Sequence, residues 1–165
     1  MTRRAFFAQK QRKLRYRTVE IYHPSIGIKR YVRKQQEPVN LKLESNAPRN
    51  GGQSVSFDGA FFDYTLPEQS DSTISAEIQF GQVGRIFKQE LKKIKGADRT
   101  KTGEVIIREW VKGETNPDFV LELYVATIAL QANGAAILAT QDDPSNKGVS
   151  QIYTTSRFPG LKESL

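Results

Sequence analysis

His23 is the only histidine among the 165 residues, and the chain has no cysteine. Those two facts exclude histidine-pair metal sites, Cys-His nucleophilic dyads, thiolate metal sites and disulfides. His23 precedes Pro24 at the end of an extended segment, where it reads as a capping or packing residue. A general base would need a nucleophile within hydrogen-bond reach. Gly81-Gln82-Val83-Gly84 has the glycines of a phosphate loop but no Gly-Lys-Ser/Thr at the required offset, so it reads as a tight turn. Glu114, Asp118, Asp142 and Asp143 fall in loops without the spacing of a calcium site, and read as solvated carboxylates. The expectation is a protein without a catalytic constellation and without a cofactor. A hydrolase using Asp118 or Asp142 ranks last among the alternatives.

The charge is concentrated. Residues 1–34 carry eleven Lys/Arg against Glu20 alone, a net +10, so the rest of this +7 chain carries 7 − 10 = −3. A basic arm over residues 1–17 leads a single domain over 18–165. Such an arm suits an acidic partner, either nucleic acid or an acidic protein face, and equally a solvated helix face. The candidate contact residues are Arg3, Arg4, Phe6, Phe7, Lys10, Arg12, Lys13, Arg15, Arg17, Lys29 and Arg33. Aromatics among the cations (Phe6, Phe7, Tyr16, Tyr31) can grip single strands. No helix-turn-helix, zinc-finger or RNP signature accompanies them. A nucleic-acid-binding accessory protein is therefore the alternative from another class. No apolar run reaches membrane-spanning length, so no membrane insertion is expected. The basic N-terminus lacks the apolar stretch of a secretory signal.

These residues sit on elements organised around Gln53–Val111. Tyr64, Leu66, Ile74, Ile78 and Phe80 alternate with polar neighbours at strand period. Val83, Ile86, Phe87, Leu91 and Ile94 then fall at helical spacing, with Gly96 as the C-cap. Upstream, Thr2–Arg15 reads as a short basic helix. Thr18–His23 and Ile28–Arg33 read as an edge hairpin, and Val39–Leu43 as a strand before the turn-rich Ser45–Gly52. Gln53–Phe57 and Ala60–Leu66 flank Asp58-Gly59, a dipeptide that favours hairpin turns. Glu104–Val111 and Phe119–Gln131 are strands, and Asn133-Gly134 returns the chain into Ala135–Thr140. The expected fold is mainly β, a barrel or sandwich of split-barrel type, with one central amphipathic helix.

Several blocks together carry a resemblance: Val19–Pro24 (VEIYHP), Ile28–Lys34, Ser56–Pro67 with its AFFDYTLP ending, Ile74–Ile94, and Ile152–Leu161 (IYTTSRFPGL). In order and spacing the chain resembles a family of tail-morphogenesis proteins of long-tailed phages and prophages, over about Thr18 to Leu161. The resemblance implies a structural protein of the virion tail tip, assembled in the host cytoplasm and similar to distal tail proteins. Those proteins form a hexameric ring that joins the tail tube to the baseplate hub. They use a split β-barrel, a helix and a long inter-subunit hairpin. The implied partners are further copies of the chain, the tail tube protein and the hub, with non-specific contact to passing DNA. The hairpin Thr18–Arg33, the pair Phe119–Thr140, and Phe158 and Leu161 of the terminal block are the contact candidates. A trimeric hub or adaptor, or a tail-completion protein, is the alternative within the same class.

Overall fold

Alternation of apolar and polar residues, broken by Gly, Asn and Pro, produces nine strands joined in one sheet among the described residues. The computed structural model describes residues 14–66, 74–81, 89–96, 101–131 and 134–143. The strands are β1 (Arg15–His23), β2 (Gly27–Arg33), β3 (Val39–Lys42), β4 (Ser54–Ala60), β5 (Phe62–Thr65), β6 (Ser75–Phe80), β7 (Glu104–Val111), β8 (Phe119–Gln131) and β9 (Gly134–Thr140). Their order is β3-β4-β2-β1-β7-β8-β9-β6-β5. All neighbours are antiparallel except β2 and β4. The protein is therefore mainly β, as its sequence predicts. Of the expected central helix, residues 89–91 are helical, and 82–88 lie outside the described residues. The expected basic helix also lies outside them through residue 13, while Arg15 already belongs to β1.

Strand side chains alternate between faces, so strands such as β2, β4 and β7 contribute to two cores on opposite sides of the sheet. One core gathers Val19 and Ile21, Phe62, Ile78 and Phe80, Val105 and Ile107, Leu123, and Ile137, with Leu91 packed among them. Each such side chain contributes about 1.5–3 kcal/mol by leaving water. Tyr31 of β2 meets Phe80 of β6 edge-on at 5.7 Å, so strands far apart in sheet order face each other across this core. On the opposite face, the β3–β4 hairpin covers β2 and β7. Val32, Leu41, Leu43, Phe57 and Trp110 are buried there, with the Phe57 and Trp110 rings edge-to-face at 5.7 Å.

Two expectations from the sequence are corrected. Thr18–Arg33 is a hairpin, closed at His23↔Gly27, but not an edge: β1 also pairs with β7, and β2 with β4. Asp58-Gly59 is not a turn. Both residues lie inside β4, paired with Tyr31 and Val32. Glycine serves close approach at this point, since a Cβ on Gly59 would run into the carbonyl oxygen of Gln35. Phe61 alone separates β4 from β5. Around it the chain changes partners: Lys34 N–H donates to the Ala60 carbonyl at 2.9 Å, and Gly81 N–H to the Phe61 carbonyl at 3.0 Å.

Candidate functional site

Four of the expected contact cations lie among the described residues, and all four are paired within the chain. Arg15 and Arg17 share a face with Val19, which brings them to Glu109 of β7. Arg17 Nε lies 3.2 Å from Glu109 Oε1, and Arg15 Nη1 lies 3.3 Å from Oε2. Arg15 also bridges to Asp118 at 2.9 Å. The Tyr64 hydroxyl donates to Glu109 at 2.5 Å. Burial, and then the hydrogen bond and charge of Glu109, push that phenol far above its ordinary value, against the opposing pull of Arg17 and Arg33. The group forms a polar closure at one end of the larger core. Arg33 donates to the Phe62 carbonyl at 3.0 Å and to Asp63 at 2.6 Å. Lys29 lies 3.6 Å from Glu90, which Lys93 holds at 2.6 Å. The Lys93 hydrogen bond foremost, and then the charge of Lys29, hold Glu90 below the usual carboxylate range. Arg3, Arg4, Phe6, Phe7, Lys10, Arg12, Lys13, Phe158 and Leu161 lie outside the described residues.

His23 is buried and both its ring nitrogens are engaged. Ser25 N–H donates to Nδ1 at 3.1 Å, so the neutral ring carries its proton on Nε2, which donates to the Lys101 carbonyl at 3.2 Å. The ring ties the β1–β2 turn to the chain entering β7, as a packing residue does. Asp118 is taken up by Arg15, and Asp143 accepts from the Thr102 hydroxyl at 3.2 Å. Among the described residues, no three His, Asp or Glu side chains converge as metal ligands.

The largest polar feature escaped the sequence reading. Glu20 is fully buried and receives Arg30 Nε at 2.9 Å, Arg49 Nε at 3.1 Å and Arg108 Nη1 at 3.2 Å. Arg108, also fully buried, continues to Glu44 at 2.8 Å, and Arg49 to Glu104 at 2.6 Å. Three guanidiniums thus meet three carboxylates. The Arg49 guanidinium carbon lies 4.4 Å from the Tyr22 ring centroid. This network fastens the 43–52 loop over β1 and β7. A signal was present: Glu20 sits between Val19 and Ile21 and Arg108 directly follows Val105-Ile106-Ile107, and a charge set in such an apolar run is paired when buried.

Among the described residues, one side of the β8–β9 hairpin is only partly paired. β7 accompanies β8 only as far as Tyr124, and Val125 N–H then donates to the Gly103 carbonyl at 2.8 Å. A bulge between Val125 and Thr127 shifts the register. From Thr127 to Gln131, β8 pairs with β9 alone, leaving one backbone edge without a strand partner among the described residues. Val120, Tyr124, Leu130 and Leu138 of this hairpin are large apolar side chains exposed to water. Such an edge can accept a strand from another chain.

Fold and site together define a mainly β protein in which, among the described residues, the end of β8 has no strand partner on one side. In comparisons with known proteins, no family model matches the chain and no curated protein matches it.

Proposed function

We propose that this chain is a structural subunit of a phage or prophage tail tip, a distal-tail-like protein that forms a ring of its own copies between the tail tube and the baseplate hub. The observation that carries the reading is the Thr127–Gln131 edge of β8, with the exposed side chains of Leu130 and Leu138 beside it. A ring needs a heterologous interface that closes, and a free strand edge meeting a different surface of the next copy supplies one. The sheet is read as a split barrel. The β4–β5 stretch, interrupted only at Phe61, pairs with β2 before the interruption and with β6 after it, which would bring the two ends of the strand order together. Arg15, Arg17, Lys29 and Arg33 already have carboxylate partners, so four of the cations that could meet phosphate are engaged within the chain, which favours this reading over a nucleic-acid-binding accessory protein.

Light scattering of the purified protein at low and high salt tests the proposal. A closed species of about six subunits that persists in salt fits a distal-tail ring, and three subunits fit the hub or adaptor alternative. Thr127→Lys with Ala129→Lys, which charges the open edge, should abolish assembly while leaving the melting temperature of the subunit unchanged. A monomer at every concentration refutes self-assembly through this edge.

A further inference from the structure

The 43–52 loop covers the outer face of β1 and β7 but stops short of β8. A trough remains along the outer face of β8, made of two hollows of about 500 and 370 Å³ that meet at Glu122. Val120, Glu122 and Tyr124 form one wall, since alternate strand residues share a face. Ser45, Asn46 and Pro48 belong to the opposite wall, and Asn116 and Pro117 mark one end. Among the described residues, three carboxylates line the trough against one ammonium, that of Lys42. Glu44 and Glu104 are held by Arg108 and Arg49. Among the described residues Glu122 makes no hydrogen bond or ion pair, and it stands between two exposed apolar side chains.

The chain ahead of β1 leaves the sheet beside this trough. The Leu14 carbonyl accepts from Lys112 N–H at 2.7 Å, and Arg15 reaches Asp118 at 2.9 Å. Those contacts bracket the turn that contains Asn116 and Pro117. Residues 1–13 carry Arg3, Arg4, Lys10, Arg12 and Lys13 and no acidic residue. In register, Glu122 pairs with Ile106 and Ile106 with Glu20. Glu122 therefore stands about 20 Å along the strands from Leu14 and about 10 Å across them. Thirteen residues reach about 43 Å when extended, roughly twice what is needed.

We propose that this trough is the docking site for the basic segment of the same chain, residues 1–13, which places a guanidinium or ammonium on Glu122 and Phe6 and Phe7 against Val120 and Tyr124. Charge pairing and apolar cover act together there, and neither depends on the chain being a tail subunit. The absence of cysteine makes the test clean, because only introduced thiols can form a disulfide. Ala5→Cys is combined with Ser45→Cys on the trough wall in the full-length protein, which is oxidised mildly and examined by non-reducing electrophoresis and mass. The expected product is a monomer with an internal disulfide. Adding Glu122→Lys should lower its yield about twofold to fivefold, the range of a partly exposed ion pair. Raised salt should lower it as well. The proposal is overturned if no disulfide forms, if disulfide-linked dimers form in place of the internal bond, or if Glu122→Lys leaves the yield unchanged. Retained fluorescence of buried Trp110 in each variant shows that the sheet is intact.

Discussion

Replacing Glu20 by alanine removes the one carboxylate that three guanidiniums share. In the native protein Arg30, Arg49 and Arg108 balance Glu20, Glu44 and Glu104. Glu20→Ala leaves three positive charges against two negative ones, and Arg108 remains with no exposure to water. Breaking a buried pair from one side costs about 3–5 kcal/mol, because the surviving charge keeps its desolvation penalty without its compensation. That is a large share of the roughly 5–15 kcal/mol that stabilises a domain. Urea unfolding followed by the single tryptophan reads the change well, since Trp110 is fully buried two residues from Arg108. With a slope of about 2 kcal/mol per molar urea, the midpoint should fall by about 1.5–2.5 M. Glu20→Leu combined with Arg108→Leu leaves two charges of each sign and should cost less than Glu20→Ala alone. The coupling in the corresponding double-mutant cycle should be about 0.5–3 kcal/mol. A loss below about 1 kcal/mol for Glu20→Ala would refute the view that this network fastens the 43–52 loop.

Trp110→Ala, which empties the centre of the smaller core and frees the Lys42 carbonyl that its indole N–H meets at 3.3 Å, should cost about 3–5 kcal/mol in chemical unfolding. Gly134→Ala should destabilise the β8–β9 hairpin, because a Cβ there would run into the Phe80 carbonyl oxygen; lower melting temperature and faster amide exchange in β6 and β9 are the readouts. Burial foremost, and then Asp58 and Glu90, push the Tyr31 phenol up to about 12. Its proton is held longer in the folded state than in the unfolded chain, where it leaves near 10. Stability should therefore be fully present below pH 10 and fall as pH rises from there towards 12, and Tyr31→Phe should flatten that fall in thermal melts across the range.

Periodicity alone marks out several strands. Glu104–Val111 and Phe119–Gln131 have the bounds their alternation predicts, and Phe119, Leu121 and Leu123 face the larger core together as a period of two requires. The lack of cysteine and of a second histidine is equally plain in the sequence and bounds the chemistry open to the chain. Pairing is another matter, because strand partners are chosen by contacts far apart along the chain. Asp58-Gly59 has the local form of a turn, yet β4 runs through it, since a parallel partner and the Gln35 backbone demand a residue without a side chain. Arg15, Arg17, Lys29 and Arg33 look like free positive charge in a basic stretch. Their carboxylates, Glu109, Asp118, Glu90 and Asp63, arrive from later in the chain. Glu20 and Arg108 are 88 residues apart and become a buried pair only because β1 lies beside β7. The open edge of β8 follows from the same cause: its length is written locally, but β7 running out beside it is decided by how the strands are laid together. Sequence by itself determined which residues alternate and which chemistry is missing. Tertiary structure decided which charges are spent inside the protein and which stretch of β8 lacks a strand partner among the described residues.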